Sequence, residues 1–185
     1  DKRLGRKDGV ATSLNNIGSV YLSWGQYDKA LKNFEEALAT FKKLRQEGYV
    51  ATCLNNIGMV YHFWGKYDKA IKHFKEALVI ASKLGQEADV AIRLNNIGGV
   101  YYFWGKYDKA IKYFEEALDT FKKLGMEGSV AAVFGNIGEA YYLQGEYKTA
   151  IKFLMDSISI KEELRKTATG DIRRDYLASQ LGTYQ

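Results

Sequence analysis

A stretch of seventeen residues, LNNIG-x-VY-x-x-WG-x-YDKA, is written three times in this chain and a fourth time in weakened form. It spans Leu14–Ala30, Leu54–Ala70, Leu94–Ala110 and Phe134–Ala150, with a step of forty residues each time. The decapeptide FWGKYDKAIK recurs verbatim at Phe63–Lys72 and Phe103–Lys112. A fixed period in this range marks a supersecondary unit that cannot bury its apolar face alone and must stack on its neighbours.

The pattern inside one unit says what is stacked. Leu14, Ile17, Gly18 and Tyr21 fall at i, i+3, i+4 and i+7, the apolar stripe of a helix. Val20 and Trp24 form a second stripe, rotated to one side of the first. Two stripes need two neighbours, one within the repeat and one in the adjoining repeat. Gly25-Gln26 turns the chain, and a second helix carries Ala30, Phe34, Ala37, Leu38, Phe41 and Leu44 at helical spacing. Asp28 suits its first turn, and Lys42, Lys43 and Arg45 suit its last. Gly18 and Ala30 are small where the two helices should cross. Arg45–Gly48 reads as the connector, and Gly85 and Gly125 replace Arg45 later as helix caps. Each repeat is thus expected to hold about 35 ordered residues and a connector of about 4–5.

Composition narrows the class further. A hydrophobic content of 46% suffices for a continuous core, and proline is absent. No run of 18 apolar residues occurs, so no membrane span is expected. The opening DKRLGRKDG has no apolar segment of a signal peptide. The single cysteine, Cys53, can form no internal disulfide, and the default reading is a reducing, cytoplasmic compartment. The formal net charge of +5 acquires meaning only from where the charges lie.

These residues resemble the tetratricopeptide repeat, whose pattern is matched by Leu14, Ile17-Gly18, Tyr21, Gly25-x-Tyr27, Ala30, Phe34 and Ala37. Two departures stand out: the period is 40 rather than 34, and the closing proline is missing. Both fit a second helix lengthened by about one and a half turns, and long-period relatives such as the kinesin light chain are similar. The resemblance implies an all-α fold, a right-handed α-solenoid of helix–turn–helix tetratricopeptide repeats. The expected order is the end of a preceding repeat at 1–9, repeats at 10–49, 50–89, 90–129 and 130–169, and a divergent C-terminal helix at 170–185. Lys2–Gly5 aligns with Lys42–Arg45, the end of a second helix. Ile172, Tyr176, Leu177, Leu181 and Tyr184 give the last segment an amphipathic face suited to a cap, or to the start of a next domain. Ser157–Gln185 resembles the junction that follows such arrays in proteins continuing into a caspase-like CHAT peptidase domain. That resemblance implies a regulatory array with an adjacent domain of the same parent protein as partner.

Solenoids line a concave face with their first helices. The positions opposite Leu14, Gly18 and Tyr21 are Thr12, Asn15, Asn16, Ser19, Leu22 and Ser23. Repeat 2 places Thr52, Asn55, Asn56, Met59, His62 and Phe63 there, and repeat 3 Ile92, Asn95, Asn96, Gly99, Tyr102 and Phe103. In repeat 4 they are Ala132, Gly135, Asn136, Glu139, Tyr142 and Leu143. Paired asparagines therefore run beside an aromatic strip. An amide both donates and accepts, so a row of asparagines can pair with an extended peptide backbone, while aromatics supply apolar area. In similar long-period arrays the equivalent asparagines bind ligand backbone. The alternative is that they bond neighbouring helices or water. Trp24, Trp64 and Trp104 lie on the inter-repeat stripe and read as packing.

Chemistry finds little foothold. Cys53, His62 and His73 lack a third metal ligand at usual spacing, and His73 sits beside Lys72 and Lys75 on what reads as a charged outer face. No nucleophile triad, phosphate loop or carboxylate pair is evident, so no enzyme, cofactor or metal is expected. Lys29, Lys32, Lys42 and Lys43 and their counterparts fall on second helices, and the groove positions carry only His62 and Glu139 as ionisable groups. Nucleic-acid binding is disfavoured by that placement. The expected function is a protein-interaction scaffold holding a peptide or protein segment in the concave groove.

Overall fold

The computed structural model describes the backbone of residues 2–182 and the side chains of residues 7–170. Among these, eight helices follow one another and no strand occurs: α1 (Lys2–Ser23), α2 (Tyr27–Lys43), α3 (Glu47–Phe63), α4 (Tyr67–Lys83), α5 (Glu87–Phe103), α6 (Tyr107–Lys123), α7 (Glu127–Leu143) and α8 (Tyr147–Gly182). The all-α repeat expected from the period is the one found.

The forty residues are apportioned differently from the sequence reading. From α2 to α7 every helix is 17 residues long, and three-residue turns separate them. The extra length therefore belongs to both helices of the repeat, and Glu47 and Gly48 open α3 instead of forming a connector. Each turn closes in the same way. Gly65 stands at φ 72°, its N–H donates to His62 O (3.0 Å), and Lys66 N–H reaches back to Tyr61 O (2.8 Å). This paired closure satisfies the last carbonyls of the helix and requires a left-handed residue, which glycine adopts without a Cβ clash. Arg45 alone does it without being glycine, at φ 55° with the same two bonds from Arg45 and Gln46.

The chain divides into two compact units, Asp1–Ala117 and Leu118–Gln185. In the first, helix pairs cross where glycine meets phenylalanine. A Cβ on Gly18 would lie 2.8 Å from the Phe34 ring, and one on Gly58 equally near Phe74. The seam between repeats takes the second apolar stripe and also the isoleucine that the sequence placed on the first, the counterpart of Ile17. Ile57 and Val60 of α3 are buried with Ala30 and Phe34 of α2, flanked by Tyr27, Leu31, Leu38 and Trp64. One repeat later, Ile97 and Val100 are buried with Ala70, Ile71 and Phe74. Burying each such aliphatic side chain contributes roughly 1.5–3 kcal/mol.

The second unit repeats the crossing with a smaller side chain. Gly138 of α7 faces Leu154 of α8, where an added Cβ would sit 2.8 Å away. Phe153 packs between Phe134 and Tyr141, with ring centroids 5.7 Å apart in both pairs. Buried Ser157 donates to the Ala131 carbonyl at 2.6 Å, which satisfies its hydroxyl inside an apolar contact.

Both ends depart from the expected boundaries. Helix α1 runs unbroken from Lys2, with no turn at Gly5, and α8 runs through Gly170, where a separate helix was expected to start. A lone glycine costs a helix only about 1 kcal/mol relative to alanine, so it ends one only where packing also draws the chain away. Ile172, Tyr176, Leu177, Leu181 and Tyr184, assigned above to a capping face, lie outside the residues whose side chains are described.

Candidate functional site

The paired asparagines sit on the first helices and join them. Asn56 Nδ2 of α3 donates to Asn15 Oδ1 of α1 at 3.0 Å. Asn96 Nδ2 of α5 donates to Asn55 Oδ1 of α3 at 2.9 Å. Within α3, Asn55 Nδ2 lies 3.4 Å from Asn56 Oδ1, and the Cys53 thiol lies 3.7 Å from Asn15 Oδ1. The first asparagine of one repeat thus accepts from the second asparagine of the next. Asn15, Asn55, Asn56 and Asn96 are half-buried, so these bonds are partly shielded from water. Each donating amide carries two N–H groups and uses one of them on its neighbour.

At the C-terminal ends of the same helices lies the aromatic strip. Phe63 and Phe103 are 55% and 64% exposed, large apolar rings held open on rigid helices. Half-buried His62 fills the space between them, its ring centroid 5.2 Å from Phe63 and 5.0 Å from Phe103. Burial lowers the His62 pKa, and its buried Nδ1 has no hydrogen-bond partner. Tyr102 packs edge-on against Phe103 (5.3 Å) and against Tyr107 (6.0 Å). Of the remaining predicted residues in this unit, Asn16 and Ser19 are exposed and Asn95 is half-buried. Ser19 donates to the Asn15 carbonyl, and Met59 packs into the seam cluster of Ile97 and Val100. In the second unit Asn136 is half-buried, Glu139 is exposed, and Tyr142 stands 57% exposed against Tyr147.

Two aromatic expectations meet different outcomes. Two of the three tryptophans pack between repeats: Trp64 stacks on Tyr27 (5.6 Å, 29°), and Trp104 leans on Tyr67 (5.8 Å, 34°), whereas Trp24, expected to do the same, stands 65% exposed against Tyr21 of its own repeat. Lys66 and Lys106 close the outer faces of the Trp64 and Trp104 rings at 3.1 Å, a cation–π contact. His73, in contrast, is not on an outer charged face. It is half-buried and stacked on Tyr61 (5.5 Å, 10°), in the place where Tyr113 stacks on Tyr101. Its flat ring substitutes for an aromatic one.

Sequence reasoning missed Arg93. This cation of α5 is buried and paired through its guanidinium with Asp89 at 3.2 Å. Burial lowers the Arg93 pKa, with Asp89 acting in the opposite sense. Arg93 and Asp89 line an open pocket of about 230 Å³ with Tyr49, Thr52 and Gln86. The signal lay in the repeat itself: Arg93 stands where the others have Ser13, Cys53 and Val133. Burial pushes the Cys53 thiol up to about 11, so little reactive thiolate forms near neutrality. Among the described residues no group of three or more His, Cys, Asp or Glu is placed to hold a metal. No helix among them is long and apolar enough to cross a membrane.

Comparison with known proteins supplies the lineage. No curated protein matches the chain by sequence. Among solved structures it is similar to BtubC (BKLC) from P. vanneervenii, at 27% identity and a TM-score of 0.77 over 86% of this chain and 66% of that one. It is similar to a putative kinesin light chain with nearly identical TPR-like repeats from Podosopora anserina, at 16% identity and a TM-score of 0.70 over 84% and 76%. It is also similar to a Rap protein complexed with Competence and Sporulation Factor, at 21% identity and a TM-score of 0.74 over 86% and 44%. The chain thus spans less than two thirds of BtubC and less than half of the Rap protein. The last two likenesses show the fold, a helical-repeat solenoid. The tetratricopeptide-repeat signature matches residues 9–83, 49–123 and 89–163 in overlapping registers. The chain belongs to the tetratricopeptide-repeat family.

Proposed function

We propose that this chain is an interaction module that binds an extended peptide or protein segment along the first helices of its repeats. The observation that carries the reading is the pair of open rings, Phe63 and Phe103, flanking His62 beside Tyr102. Large rings left in water on a rigid scaffold offer apolar area whose burial favours a partner. The asparagines that link α1, α3 and α5 hold the row in register and present their second N–H groups to a peptide carbonyl. The Rap structure, solved with Competence and Sporulation Factor, supports a peptide or protein ligand for this fold. Arg93 and Asp89 add a polar pocket beside Thr52. In keeping with its tetratricopeptide repeats, the module is read as a non-catalytic scaffold.

The test is a titration. A peptide selected from a random dodecamer library on the immobilised chain is labelled and titrated against variants. Phe103→Ala is expected to weaken binding at least tenfold, and Lys72→Ala, an exposed lysine of α4, to leave it unchanged. Loss of binding in Lys72→Ala with Phe103→Ala silent moves the interface to the second helices and defeats the reading.

A further inference from the structure

The same apolar stripe is buried in one repeat and open in another. Ile57 and Val60 of α3 and Trp64 just after it pack on α2, whereas their counterparts Ile17 and Val20 of α1 and Trp24 just after it are 44%, 47% and 65% exposed. The complementary face is open elsewhere in the molecule. Tyr27, Leu31 and Leu38 of α2 receive α3, and their counterparts on α8 are Tyr147, Ile151 and Ile158, which are 61%, 58% and 57% exposed. The cause on α8 is visible in the backbone. Helix α8 does not turn at Leu164–Lys166, the positions equivalent to the turn at Leu124–Met126, so among the described residues no helix returns along it.

We propose that the chain associates head to tail with a second copy, the α1 face of one molecule packing on the α8 face of the next. The contact reproduces the seam between the chain's own repeats. Trp24 stacks on Tyr147 as Trp64 does on Tyr27, and Ile17 and Val20 lie among Ile151, Leu154 and Ile158 as Ile57 and Val60 lie among Leu31, Phe34 and Leu38. Met155 stands where α2 has Glu35, which makes the receiving face more apolar than its internal counterpart. At the far end the match changes character. Stacked Phe41 and Tyr49 are replaced by Lys161 and Gly9, and Asp8 beside Gly9 supplies the charge opposite to Lys161. A head-to-tail contact uses two different patches, so each molecule retains one free face for another copy.

That property defines the test. Sedimentation velocity of the whole chain, from micromolar to several hundred micromolar, is expected to show a mass that rises with concentration. Val20→Asp spoils only the head and Ile151→Asp only the tail. Both sites are exposed, so helicity by circular dichroism should persist, and Trp24→Lys serves as a second head variant if Val20→Asp unfolds. Each variant alone is expected to stay monomeric, with self-association at least tenfold weaker. An equimolar mixture of the two is expected to restore one intact seam and stop at a dimer. A chain that is monomeric throughout the range meets something other than a second copy on these faces and overturns the proposal. So does a single variant that still self-associates as the unmodified chain does, which signals a head-to-head or tail-to-tail contact. A mixture that stays monomeric also overturns it.

Discussion

Repeats 1 and 2 carry nearly the same motif and meet different surroundings. Ile57 is 2% exposed and Val60 fully buried, while Ile17 and Val20 are nearly half open. The glycine–phenylalanine crossing, by contrast, is the same in both, at 2.8 Å. Contacts within a repeat are set by that repeat's own residues; contacts at a seam are set by whether a neighbour is present. Repetition in sequence therefore guarantees the first kind of contact and leaves the second open.

The comparison breaks most visibly at the seam. Ile57→Ala is expected to cost about 2–5 kcal/mol, because it empties a closed site, whereas Ile17→Ala should stay within about 0.5 kcal/mol. Urea denaturation of the two variants reads the difference, and equal costs would remove the distinction. The crossing should behave in the opposite way. Gly18→Ala and Gly58→Ala both drive a methyl into a phenylalanine ring, and each is expected to lose about 1–3 kcal/mol, by the same amount in both repeats.

Smaller effects sharpen the picture. Asn96→Ala deletes a shielded interhelical bond and is expected to cost about 1 kcal/mol, against almost nothing for exposed Asn16→Ala. Arg45→Gly should gain about 1 kcal/mol, since glycine occupies the left-handed position freely, and Gly85→Arg should lose a similar amount. A thermal melt of each variant decides both pairs.

The smallest expected effect is a pH dependence located in repeat 2. Burial lowers the pKa of His62 and, as the largest of several influences, that of His73. Repeat 1 has Leu22 and Asn33 in their places. The folded state disfavours the protonated rings, so the unfolded chain binds more protons as pH falls. Stability should be full above the ordinary histidine pKa of about 6.5 and decline as pH drops through it towards the lowered folded values. Denaturant midpoints at pH 7.5 and 5.5 should differ less in a His62→Leu, His73→Asn double variant.

What the sequence could show divides along the same line. The period, the crossing glycines and the packing role of Trp64 and Trp104 were legible because they recur with the repeat. The turns were less so. Leu44-Arg45-Gln46 bends the chain and Leu164-Arg165-Lys166 stays helical, although they differ in one residue. After the first come Val50 and Cys53, buried on the preceding repeat; after the second come Thr167 to Gly170, all exposed. Packing of the next helix holds Arg45 in its costly conformation, and no local signal encodes that. The asparagine pairs were legible as a row, but a row does not reveal that Asn56 reaches Asn15 and Asn96 reaches Asn55. Arg93 escaped because attention to what repeats hides what departs from it. His73 misled because its lysine neighbours suggested an exterior, whereas Tyr61 covers its ring.

The central claim, that ligands engage the first helices through the open rings, is tested most directly by chemical-shift mapping on the whole chain with the library-selected peptide. The account predicts that the largest shifts fall on Phe63, Tyr102, Phe103 and the asparagines between them, with Lys32, Lys72 and Lys112 silent. Shifts concentrated on those lysines, with the rings unmoved, would contradict it.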